Sequence, residues 1–126
     1  MKRLLAAVVL FVSACTAAPA PQTATLPDVA LPDLSRVDKS VQDQITASYQ
    51  VLQSRRNDAN AYGELGNLLF AAEFYDAAEA PYLHAQALAS DEGRWPYYLG
   101  QVYKARNAGE KSIAAFQRAQ IGRAHV

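Results

Sequence analysis

The chain has 126 residues and one Cys, with twelve Lys and Arg against twelve Asp and Glu, a formal charge of zero. That is room for one small domain at most. No basic block offers an electrostatic footprint for the phosphates of nucleic acid. A single Cys forms no internal disulfide, and His84 and His125 alone do not make a multidentate metal site. Nucleic-acid binding is therefore disfavoured, metal and thiol-disulfide functions drop out, and nothing in the sequence calls for a cofactor.

At the N-terminus, Met1-Lys2-Arg3 is followed by the apolar run Leu4 to Val12 and then Ser13-Ala14-Cys15. This is the architecture of an export signal. The apolar run covers only about half of the roughly 30 Å that a transmembrane helix must cross. Val12-Ser13-Ala14-Cys15 resembles the lipobox of bacterial lipoproteins. The resemblance implies a signal peptide over 1–14, cleavage between Ala14 and Cys15, and acylation of the Cys15 thiol. Several acyl chains on one residue give stable anchoring. Thr16, where lipoproteins retained at the inner membrane often carry Asp, implies the outer membrane, with the protein facing the periplasm.

Residues 15–33 carry Pro19, Pro21, Pro27 and Pro32 and no aromatic residue. Such a composition builds no core and reads as a disordered tether. Over 34–56, Val37, Val41, Ile45, Tyr49 and Leu52 mark one face of an amphipathic helix from about residue 35 to 55. Their spacing is too short and irregular for a sustained coiled coil. The simplest role for this helix is to cap the apolar edge of the segment C-terminal to it.

Residues 57–120 repeat themselves with a period of 34. Leu65-Gly66 recurs as Leu99-Gly100, Leu68 as Val102, Tyr82 as Phe116 and Ala85 as Ala119. Small residues at Gly66 and Gly100, facing Ala78 or Ser112 and Ala85 or Ala119, let two helices cross closely. Tyr62, Leu65, Leu69, Tyr82, Leu99, Tyr103 and Phe116 fill the remaining space. The segment is rich in Ala, and its apolar positions recur at three and four, as in amphipathic helices. Pattern and period are similar to the tetratricopeptide repeat, with copies at 59–92 and 93–120, the second incomplete. The expected fold is all-α: antiparallel helix pairs of an α-solenoid preceded by one amphipathic helix.

Three departures from the repeat pattern carry expectations. Pro96 stands where the family has an aromatic, and the adjacent Trp95 takes over the packing. Asp91 is available as N-cap of the following helix. Pro81 falls inside a helix, where it costs about 3 kcal/mol or produces a kink.

The last six residues, IGRAHV at 121–126, resemble an in-frame translation of a common sequencing adapter. On that reading the native sequence is cut after Gln120 and the tail is non-native. Without Lys2, Arg3 and Arg123, nine basic residues face twelve acidic ones, a formal charge of −3.

No catalytic constellation emerges. Cys15 is assigned to lipid, His84 stands alone on an exposed helix position, and Glu73, Asp76 and Glu79 read as solvated helix surface. The chain is expected not to be an enzyme. The repeat resemblance implies instead a concave groove lined by the first helix of each pair. Carried over by position, its side chains are Asn60, Gly63, Glu64, Asn67, Phe70 and Ala71, then Arg94, Tyr97, Tyr98, Gln101, Lys104 and Ala105. Asn67 and Gln101 suit an extended backbone, the two tyrosines offer apolar area with polar tips, and Arg94 and Lys104 suit an acidic group. Gly63, where the family's carboxylate clamp requires Lys, speaks against that clamp. The expected function is a lipid-anchored scaffold holding a protein or peptide partner. The alternative is the N-terminal repeat module of a larger exported enzyme or cofactor-binding protein.

Overall fold

The computed structural model describes residues 25–124. The expected signal peptide, cleavage at Ala14-Cys15, lipidation of Cys15 and the first part of the tether lie outside the described residues, as do His125 and Val126. The described chain is all-helical: a 3-10 turn at Leu34–Arg36, then α1 (Lys39–Ser54), α2 (Ala59–Ala71), α3 (Tyr75–Leu88), α4 (Arg94–Ala105) and α5 (Gly109–Ala124). Helix α2 packs on α3 and α4 on α5, α3 joins the two pairs, and α1 lies against α2. This is the expected arrangement of stacked helix pairs behind one amphipathic helix.

The period of 34 extends to the backbone. Each pair turns on a residue at positive φ, Glu73 (64°) in the first and Asn107 (56°) in the second. In both turns the amide three residues past the helix end reaches back across the last turn. Phe74 donates to Leu69 (2.9 Å) beside Glu73 to Phe70 (3.0 Å), and Ala108 donates to Tyr103 (2.8 Å) beside Asn107 to Lys104 (3.1 Å). This is the left-handed helix ending that satisfies otherwise orphaned carbonyls.

The expected packing positions form the core. Leu65, Leu69, Ala78 and Ala85 are fully buried, with Tyr62, Tyr82, Leu99, Tyr103 and Ala119 also inside. Gly66 sits under the Tyr82 ring and Gly100 under the Phe116 ring, so closely that a Cβ at either would stand within 3 Å of ring carbons. Phe116 itself is only half-buried. Ser112, the counterpart of Ala78, is buried, and its hydroxyl donates to the Gly100 carbonyl at 3.0 Å. From α1, Ile45 and Leu52 enter the core while Val41 and Tyr49 flank it.

Three local expectations are corrected, and that of a Pro inside a helix is met. The helix expected from residue 35 begins only at Lys39, because Val37 is extended. The N-cap of α4 is Gly93 rather than Asp91, although Pro96 does fall in the first turn, where no intrahelical bond is lost. Helix α3 runs unbroken through Pro81, which is buried inside it. The tether does not extend to residue 33. Residues 25–33 have no regular secondary structure, yet Val29 and Leu31 pack against the core. Residues 121–124, expected to be non-native, continue α5, and Ile121 is 62% exposed.

Candidate functional site

Of the expected groove residues on α2 and α4, Asn60, Asn67, Arg94, Tyr97, Tyr98 and Gln101 are joined directly or through Tyr82 and Trp95. Their central feature is aromatic. Tyr98 stacks on Tyr82 of α3 at 5.4 Å between centroids, while Tyr97 meets Tyr98 at 5.8 Å and Phe116 of α5 at 5.7 Å. Trp95 stands 6.2 Å from Tyr98 and carries the Arg94 guanidinium over its face at 4.1 Å. Aromatic pairs at these separations favour tilted or offset contacts, which fix the rings relative to one another. Tyr97 remains 41% exposed, the open edge of the cluster.

Trp95 explains Gly63. The indole lies so close above that glycine that a Cβ there would overlap it. Gly63 is therefore a seat for Trp95 and lines no groove, a correction to the position carried over from the repeat pattern. Trp95 does replace the aromatic missing at Pro96, by reaching back onto the preceding pair. It is 2% exposed, and its Nε1 has no hydrogen-bond partner among the described residues.

The polar groove residues are largely engaged with one another. The Tyr82 hydroxyl donates to Asn67 Oδ1 at 2.7 Å, Gln101 Nε2 to the Tyr97 hydroxyl at 3.1 Å, and Arg94 Nη2 to Asn60 Oδ1 at 2.6 Å. Arg94 also pairs with Glu92. Asn60 and Arg94 are thus a bond between repeats as well as surface. Phe70 turns to the start of α3 and meets Tyr75 edge-on at 5.3 Å. Lys104 is exposed and makes no ion pair among the described residues. Asn60, Glu64, Asn67, Arg94, Tyr97 and Lys104 are exposed on these two helices, and Tyr98 is half-buried.

Two features escaped the sequence reading. His84, expected on an exposed position, is half-buried: its ring stacks on Tyr62 at 4.8 Å and 9°, and its Nε2–H donates to the Pro27 carbonyl at 2.9 Å. Glu79, expected to be solvated surface, accepts from the Tyr103 hydroxyl at 2.9 Å and from Arg106, which also reaches Asp76 at 2.6 Å. Burial, and then this bond to a carboxylate, pushes the Tyr103 phenol up to about 12. Both features join α3 to distant parts of the chain, and spacing along one helix cannot show them.

No protein-family model and no curated protein matches this chain. Fold and surface therefore define its class: an all-α protein of stacked helix pairs with an aromatic patch on the first helices. Among the described residues no helix is long and apolar enough to cross a membrane.

Proposed function

We propose that the protein is a lipid-anchored periplasmic scaffold of the outer membrane, acylated at Cys15, whose α2–α4 face holds a peptide or helix of a partner protein. The helix pairs are read as tetratricopeptide-type repeats on their period of 34, and the anchor on the lipobox resemblance of Val12 to Cys15. The observation that carries the binding function is Tyr97: a large aromatic left 41% exposed on a rigid cluster of rings, with Lys104 and Gln101 on the same helix. Rigid aromatic side chains with polar tips lose little conformational entropy on binding and recur as interface anchors. The role is non-enzymatic: the face supplies area and hydrogen bonds.

Affinity capture from detergent-solubilised envelopes tests the reading. A partner retained by the wild-type chain is lost when Tyr97 and Tyr98 are changed to Ala together. Retention by that variant at wild-type level removes the groove. The anchor is tested separately by Cys15→Ser, which releases the protein from the membrane fraction and abolishes acylation; acylated, membrane-bound Cys15→Ser protein removes it.

A further inference from the structure

The outer face of the helix stack carries a second site. Helices α1 and α3 are not closely packed on each other, nor are α3 and α5. Each of these gaps is a groove. The first is bordered by this chain's own N-terminal segment: Asp28 and Val29 share with Tyr49, Leu52, Gln53, Arg56, Tyr62 and His84 the walls of a cavity of about 190 Å³, and His84 is bonded to the Pro27 carbonyl.

Displaced by the repeat period, five of those six helix positions give Gln86, Ala87, Ser90, Pro96 and Arg118, while Tyr49 gives Leu83, which lies outside the second cavity's wall. All five line one cavity of about 360 Å³ between α3, α5 and the start of α4. The same groove thus occurs twice, narrowed by the chain's own segment to about 190 Å³ in the first copy and about 360 Å³ in the second. The second copy is wider because Ala87, Ser90 and Pro96 stand where the first has Gln53, Arg56 and Tyr62. Its polar groups fit an incoming backbone. Gln86, at the position of Leu52, lines the cavity; its Oε1 is buried without a hydrogen-bond partner among the described residues and becomes an acceptor for an N–H once the side chain turns into the cavity. Arg118 replaces His84, the residue that holds the segment in the first groove, and makes no ion pair among the described residues. A guanidinium there binds a carbonyl as the imidazole does and adds bidentate recognition of a carboxylate. Asp91 lines the same cavity. Ile121 and Gly122 close one end, but the five equivalent positions all precede them.

We propose that the α3–α5 groove takes an extended, acidic, proline-containing peptide segment of another polypeptide, in the manner in which the α1–α3 groove takes Pro27, Asp28 and Val29. The chemistry of the occupant is read from the segment already seated in the first groove, which carries an apolar residue, a Pro and a carboxylate in succession at 26–28. Main-chain hydrogen bonds hold such a segment and its side chains select it.

The probe is a blocked synthetic peptide of residues 25–33, TLPDVALPD, titrated into the full chain by calorimetry. The intramolecular segment competes at high effective concentration in the first groove, so the added peptide is directed to the second. Expected is one-to-one binding, weakened at least tenfold by Arg118→Ala and by Gln86→Leu and unaffected by His84→Ala. A peptide with Asn at both Asp positions binds at least tenfold more weakly. Arg118 is on the surface, so its variant keeps the fold, which circular dichroism verifies; Arg118→Lys retains part of the binding. Absence of binding, binding indifferent to Arg118→Ala, or binding weakened only by His84→Ala, which would mean exchange in the first groove, each overturns the proposal.

Discussion

The Tyr82 ring covers Gly66 so closely that a Cβ on the glycine would stand 2.7 Å from Cε1, and the same relation recurs 34 residues on between Phe116 and Gly100, at 2.6 Å. Tyr82 has no room to retreat, being 1% exposed and bonded to Asn67. Overpacking a core costs about 1–3 kcal/mol, and Ala gains about 1 kcal/mol over Gly in a helix. Gly66→Ala is therefore expected to destabilise by a net amount of up to about 2 kcal/mol in urea unfolding. Gly100→Ala costs less, because half-buried Phe116 can swing aside. Gly109→Ala, with no atom of the described residues within 4 Å of the new Cβ, costs nothing. Equal losses at all three would refute the packing argument.

Glu73 and Asn107 occupy the left-handed region at the ends of α2 and α4. A residue with a Cβ pays about 1 kcal/mol there relative to Gly, and Asn tolerates it better than Glu. Glu73→Gly is expected to raise the unfolding free energy by about 0.5–1 kcal/mol, and Asn107→Gly by less. A thermal melt shows the difference as a higher midpoint for the first variant; a lower one contradicts the assignment of this turn.

The ion pairs of Arg106 are unequal. Asp76 is 87% exposed and Glu79 23% exposed, and Glu79 alone also accepts from Tyr103. Exposed pairs contribute little, whereas truncating a partly buried acceptor leaves its donors unsatisfied. Glu79→Ala is expected to cost about 1–2 kcal/mol and Asp76→Ala under about 0.5 kcal/mol. Chemical denaturation of both variants in low and in high salt checks the order, and a larger loss for Asp76→Ala would reverse the account.

Alkaline stability follows from the phenols. Burial, then the bond to Glu79, raises Tyr103 to about 12; burial, then neighbouring Tyr98, raises Tyr82 further. An unfolded Tyr releases its proton near 10, while the folded chain retains it. The contribution is complete below pH 10 and is lost as pH climbs from 10 through about 12. Urea midpoints measured from pH 8 to 12 should hold and then fall, with a shallower fall for Tyr103→Phe. A midpoint that rises across this range contradicts the sign.

The spacing of 34 carried much of the fold, because close crossing of helices depends on residue size at fixed positions, and Gly66, Ala78, Gly100 and Ser112 declare that size directly. What it did not carry depends on side chains meeting across helices. Asn60 and Asn67 look like free groove amides until Arg94 and Tyr82 are seen bonded to them. Gly63 looks like a gap in the groove until Trp95 is seen lying on it, though the shift of the aromatic from 96 to 95 was the available signal. The docking of residues 27–31 was hidden by composition: Pro-rich and without aromatics, the segment reads as tether, while Val29 and Leu31, two residues apart, are the spacing of an extended chain laid on an apolar surface.

The central claim, that a partner docks on the α2–α4 face, is tested most directly by placing a photoreactive phenylalanine at position 97 and, as control, at Gln50 on the exposed side of α1. Irradiation of intact cell envelopes is expected to yield a discrete crosslinked polypeptide from position 97, reduced by Tyr98→Ala and absent from position 50. Equal crosslinking from both positions, or none from position 97, would contradict the claim.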